Sequence, residues 1–193
     1  MTSTPSSLPS STIVLDGTSL TCDQLLRAAN RQAKISIPQE AKDRIIEGRE
    51  VVQSVVASGA SGYGINTGVG SQKNFQVAAD SMGDYNRRLA RAHATHAGGA
   101  ILPKSRVRAA LVVLANEFSL GLSGVSEPLV QLITDQINDA EMPEVSSYGT
   151  VGAADLIPMS QIANWLQSKP EALERGIPGP KETLSLINTN AIT

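Results

Sequence analysis

One cysteine, Cys22, stands in 193 residues, so neither an internal disulfide nor a cysteine-rich metal cage can form. A thiol-poor chain fits a reducing compartment, and a cytoplasmic location is the expectation. Aromatics make up 3%, one Trp, two Phe and three Tyr, too few for the stacked platforms on which bases are read. Charge is balanced: 16 Lys plus Arg face 18 Asp plus Glu, a net of −2. The concentrated positive field that nucleic acid or an anionic membrane surface requires is missing. No apolar run approaches the roughly 20 residues that cross a bilayer. The opening MTSTPSSLPSST has no basic stretch ahead of an apolar one, unlike a secretory signal. It has little to bury, and residues 1–11 are expected to form a disordered leader.

What remains is a globular composition, 41% hydrophobic and 18% charged, in a chain long enough for one domain with its own core over residues 12–193. Ile13, Val14 and Leu15, then Asp16-Gly17, then Thr18 to Leu20 read as a short hairpin, because Asp-Gly favours a turn with positive φ. Thr21 with Gln24 three residues on forms a capping box for a helix expected to bury Leu25 and Leu26. Pro38 suits the first turn of a second helix, which carries Ile45, Ile46, Val52, Val55 and Val56 and ends at Gly59. Helical patterns return over 78–97, 104–120 and 128–140, the last two with apolar stripes (Val107, Ala110, Leu111, Leu114; Leu129, Leu132, Ile133, Ile137). Leu156, Met159, Ile162, Ala163 and Leu166 mark another, and a last run begins near Pro180. No internal repeat is present. The reading is mainly α-helical, with glycine-rich loops.

Three segments exceed what packing needs. Residues 59–70, GASGYGINTGVG, hold five glycines, which favour neither helix nor strand. Tyr63 sits between two of them, and a phenol on such a backbone can act as a general acid or base. A phosphate loop lacks its lysine and Ser/Thr here. The second segment is 87–96, RRLARAHATH. His93 and His96 lie three apart on a helical pattern, but two ligands hold zinc poorly and no metal is expected. Its arginines read most simply as a solvated helix face. The third, YGTVGAADLIP from Tyr148, runs small residues into an Asp-led helix start, suited either to a ligand at the helix N-terminus or to close packing alone.

Taken in order, these segments resemble the aromatic amino acid lyase family, the histidine, phenylalanine and tyrosine ammonia-lyases and related aminomutases. Tyr63 to Gly70 is similar to the family's YGxNTGFG loop, whose tyrosine is the catalytic base. Leu89 to His93 resembles its NLLxSHA helix, with Ala92 in place of the serine. Leu120 to Val125 resembles KGxSGV, and Pro180 to Asn188 resembles PKEALALxNG, whose asparagine lies in the active site. The resemblance runs from about Ile13 to the C-terminus. It implies the N-terminal portion of the ammonia-lyase helical fold, with Tyr63 as catalytic acid/base and Asn66, His93 and Asn188 as substrate-binding neighbours.

The departures are as informative. Family members build an electrophile, methylidene-imidazolone, from the Ala-Ser-Gly of GSVGASGDLAP. The glycine amide closes on the alanine carbonyl, and the serine loses its hydroxyl as water. Here the corresponding stretch, Gly149 to Pro158, is one residue shorter and reads Ala153, Ala154, Asp155 at the cofactor position. With no serine to dehydrate, the prosthetic group is not expected, and no other cofactor is implied. A tyrosine alone faces an unactivated Cβ proton far less acidic than itself. The resemblance therefore points to elimination, conjugate addition or cyclisation on an already activated small molecule, in specialised metabolism. A non-catalytic subunit, or an ammonia-lyase completed by another chain, are the alternatives. Family members also continue for several hundred residues past Asn188 and assemble each site from several subunits. A second polypeptide resembling their C-terminal part, in a hetero-oligomer, is expected to cover the apolar stripes of 104–120 and 128–140.

Overall fold

A computed structural model describes residues 11–95 and 98–193, so residues 1–10 of the expected leader, and His96 with Ala97, lie outside the described residues. In chain order the elements are β1 (Thr12–Val14), α1 (Cys22–Ala29), β2 (Lys34–Ser36), α2 (Gln39–Ser58), α3 (Met82–His93), α4 (Lys104–Phe118), α5 (Glu127–Asp139), α6 (Leu156–Gln167), α7 (Pro170–Glu174) and α8 (Glu182–Ile187). The fold is mainly helical, as expected. The short α7 has no counterpart in the sequence reading.

The expected hairpin does not form. β1 pairs in parallel with β2, Ile13 opposite Ile35, with α1 as the crossover. Asp16 instead closes a local turn, its Oδ1 accepting from the Thr18 and Ser19 amides at 2.8 Å each. The physical reason is burial: a lone hairpin would leave Ile13 in water, whereas pairing across α1 sets Ile13 and Ile35 together in the core.

α1 starts where its capping box lies. Thr21 Oγ1 accepts from the Gln24 amide at 3.3 Å, and Gln24 Oε1 accepts from the Thr21 amide at 2.9 Å. Thr21→Ala removes half of that reciprocal pair and is expected to cost about 1 kcal/mol, read as a lowered urea midpoint with an unchanged slope. An unchanged midpoint would show that the cap is idle. The buried residues of α1 are Ala28 and Ala29, while Leu25 is half-buried and Leu26 is 62% exposed, against the expectation that both leucines are inside. α1 lies close on α4, where only small side chains fit.

α2 runs from its Pro38 cap to Gly59 as expected, burying Ala41, Ile45 and Val52 and leaving Ile46 exposed. It approaches the turn after α4 so closely that a methyl at Gly48 would stand 1.8 Å from the Gly121 carbonyl oxygen. Arg44 and Arg49 secure that approach by donating to the carbonyls of Asp16, Ser119, Gly124 and Pro180. α3 is shorter than the 78–97 pattern, because a tight turn at Ala79–Ser81 precedes it and Ala94 caps it.

The stripes of α4 and α5 are not left for a partner. Val107, Ala110, Leu111 and Leu114, with Leu129, Leu132 and Ile133, are fully buried within this chain. α1 covers α4 on one side and α5 on another, while α3, α6 and α8 pack on one another. One contiguous hydrophobic core joins both groups. Among the described residues no helix is long and apolar enough to cross a membrane.

Candidate active site

The glycine-rich segment after α2 folds as a braced turn. The side chain of Asn66 reaches back along it, Oδ1 accepting from the Gly62 amide at 2.8 Å and Nδ2 donating to the Ala60 carbonyl at 2.9 Å. Thr67 Oγ1 accepts from the Gly64 amide at 3.3 Å. The returning strand-like segment closes the brace: the Val77 amide donates to the Asn66 carbonyl and the Gly68 amide to the Phe75 carbonyl, both at 2.9 Å. Gly64 has φ +64, and a Cβ there would meet Leu184 Cδ2 at 2.2 Å. This turn therefore needs glycine for both its backbone angle and its contact with α8.

The brace points Asn66 inward and Tyr63 outward. Asn66 is buried, its amide group engaged within the loop, while Tyr63 is 56% exposed. The Tyr63 hydroxyl accepts one hydrogen bond, from the Gly70 amide at 3.1 Å, and keeps its own proton to give. Gly70 lines a cavity of about 500 Å³, together with Val69, Tyr85, Arg88, Leu89 and His93. His93 is the last residue of α3, and its Nδ1 lies 2.9 Å from the Leu89 carbonyl. Since a carbonyl oxygen only accepts, Nδ1 is the donor in that contact. His93 is thus in the wall of this cavity, and the Tyr63 hydroxyl is joined to that wall through Gly70.

Asn188 belongs to another. It caps the C-terminal end of α8 and lines a cavity of about 480 Å³ with Glu117, Ser123, Lys181, Leu184 and Ser185. Gly64 of the Tyr63 loop rests on Leu184, which lines this second cavity. Lys181, quoted in a motif but not singled out by sequence reasoning, holds its ammonium 2.9 Å from the Ser123 carbonyl. Burial lowers its pKa, and burial raises that of Glu117 across the cavity, opposed in part by a hydrogen bond from Thr189. Lys181 is also one of two non-glycine residues with positive φ among those described, at +68, an angle that helices rarely admit and that delays the start of α8 to Glu182. A lysine preceding Glu-Thr at a helix start is the only sequence signal it gives.

The segment of Ala153, Ala154 and Asp155 lies against the far end of α8. The Asp155 amide donates to the Thr189 carbonyl at 2.8 Å, and the Ala154 carbonyl accepts from the Val151 amide at 2.9 Å and from Thr150 Oγ1 at 3.2 Å. These residues do not fit a methylidene-imidazolone. The middle residue offers only a methyl group, and the amide that would close the ring is already given to Thr189. Asp155 instead anchors the chain after α8. Its fully buried carboxylate accepts from the amides of Ile192 and Thr193 at 2.9 Å each and from Thr193 Oγ1 at 2.6 Å. Burial alone would raise its pKa, but these hydrogen bonds and one from Thr150 hold it below the usual 3.8. Among the described residues no cluster of three or more His, Cys, Asp or Glu could hold a metal ion. The His93–His96 pair cannot be placed, since His96 lies outside the described residues.

A model of the aromatic amino acid lyase family matches residues 20–193. The chain is 33% identical to a histidine ammonia-lyase of Shouchella clausii over 165 residues, covering 85% of this chain and 33% of that protein. It is similar in structure to ergothionase of Treponema denticola, with a TM-score of 0.85 at 25% identity over 94% of this chain and 40% of that one. Histidine ammonia-lyase of Trypanosoma cruzi gives a TM-score of 0.80 at 28% identity, over 94% of this chain and 39% of that one. The chain spans about a third of the length of the curated relatives it matches.

Proposed function

Because the chain belongs to the aromatic amino acid lyase family, we propose that it forms part of a lyase-like enzyme in which Tyr63 transfers the proton and no methylidene-imidazolone takes part. The observation that carries this reading is an exposed phenol hydrogen-bonded to Gly70, a residue lining the His93 cavity, in a chain whose cofactor position has no hydroxyl to lose. A site with a base and no electrophile suits a substrate that brings its own activation, an acidic α-proton or a conjugated acceptor. Elimination, conjugate addition or cyclisation in specialised metabolism are the reactions this allows. His93, in the wall of that cavity, binds such a substrate, while Asn66 acts by holding the loop that presents Tyr63.

The same reading includes a second polypeptide as partner. Leu122, 84% exposed, and Val51, 64% exposed, flank the turn where α2 meets the end of α4 and would contribute to that contact. Native and denaturing mass spectrometry of co-purified, active material tests both points. The expected result is a complex of two kinds of chain, with this one at its full sequence mass. Loss of two waters from this chain would mean that the prosthetic group forms, and full activity of this chain alone would remove the partner.

A further inference from the structure

Beside the His93 cavity lies a second space of about 380 Å³ between α3 and α6. Asp84, Arg87, Arg88 and Arg91 form its α3 wall, and Asn164 and Gln167 its α6 wall. The four charged positions are three or four residues apart in sequence steps (84 to 87 and 88, then to 91), which keeps them on one face of a helix. Arg88 lines both this space and the His93 cavity.

Three guanidinium groups here face a single carboxylate. Asp84 pairs with Arg87 at 2.6 Å, and its backbone carbonyl accepts from Arg88 Nε at 3.3 Å. Arg91 is exposed and, among the described residues, has no hydrogen-bond or ion-pair partner. α6 carries no charged residue, its sequence being LIPMSQIANWLQ. Asp84 stays ionised, since the hydrogen bond and charge of Arg87 and the charge of Arg88 lower its pKa. The wall still keeps an excess of two positive charges in a protein whose net charge is −2. These side chains are exposed, so solvent screens the excess in part, and an anion joining them relieves the rest.

We propose that this cavity is a binding site for a phosphate-class oxyanion, either free phosphate or the phosphate group of a small metabolite. Guanidinium forks match the tetrahedral oxygens of phosphate in paired hydrogen bonds. The twofold excess of charge matches a dianion, and the side-chain amide of Asn164 supplies a neutral donor from the opposite wall. The free Arg91 and the half-committed Arg87 hold the anion, and Arg88 reaches it from the wall shared with the His93 cavity.

Titration of the ¹⁵N-labelled full chain with inorganic phosphate, followed at the arginine Nε–H signals, tests the site. Saturable shifts at Arg87, Arg88 and Arg91 are expected, and chloride at equal ionic strength should not reproduce them. Arg91→Gln, on an exposed position, should weaken binding about tenfold. Asp84→Asn removes the competing carboxylate and should tighten it. Shifts that never saturate, that chloride matches, or that neither variant alters would overturn the proposal. Phenyl phosphate distinguishes the source: tighter binding than inorganic phosphate assigns a phosphorylated metabolite, and equal binding assigns the free ion.

Discussion

Replacement of Tyr63 by Phe is expected to lower turnover of the assembled enzyme by about 10²–10⁴-fold, the range that a positioned proton-transfer group contributes, without unfolding the chain. The phenol oxygen makes one contact, with the exposed Gly70 amide, and water replaces it there. The stability change should therefore stay within about 1 kcal/mol. The ring itself is unchanged, so the loop braced by Asn66 and Thr67 keeps its shape. Deuterium exchange from solvent into the acidic carbon of an activated substrate measures the step directly, and thermal unfolding monitors the fold. An exchange rate equal to that of the wild type would remove Tyr63 from the chemistry and leave a scaffold as the better reading. Asn66→Ala should behave differently, lowering both stability and activity, because its amide holds two backbone groups of the loop rather than a reacting atom.

Asp155→Ala should produce the largest loss of stability at this end of the molecule, about 3–5 kcal/mol. Hydrogen bonds to a charged group contribute about 1.5–3 kcal/mol each; the three from Ile192 and Thr193 are lost here together with that from Thr150, and their contributions overlap. The Ile192 amide, on a buried residue, is left without its acceptor. Asp155→Asn keeps one acceptor oxygen and should lose less. The pH dependence has a definite sign. The folded pKa lies below the unfolded 3.8, so the contribution is fully present above that value and is lost as pH falls through the folded pKa. The gap between wild type and Asp155→Asn in urea midpoints should stay constant from neutral pH down to the unfolded value and close below it. A gap that closed near neutral pH would mean that Asp155 is not the group responsible. The result also bears on the altered cofactor position, because it shows what this stretch does in place of ring formation: it fastens the segment after α8 to the start of α6.

Local patterns were readable in the sequence wherever neighbours along the chain decide the outcome. The Thr21–Gln24 box starts α1, Pro38 and Gly59 bound α2, the five glycines of 59–70 leave a loop, and Met159, Ile162, Ala163 and Leu166 lie on the buried face of α6, with Leu156 half-buried at its start. The order of the short motifs was enough for the family. Contacts between distant segments were decided only in the tertiary structure. An apolar stripe states which face of a helix must leave water, but burial is non-directional and does not name the cover. The stripes of α4 and α5 are therefore covered by helices of this chain, and β1 is paired by β2 across a crossover rather than by its sequence neighbour. For the same reason Leu26 faces water while Ala28 and Ala29 are enclosed, since closeness to α4 is a property of the approach and not of the residue. Asn66 and Asn188 carry the same amide, yet one braces a loop and the other lines a cavity separate from that of His93. Hydrogen-bonding groups take whichever partners the packed backbone brings within about 3 Å, and that distance is set by the fold.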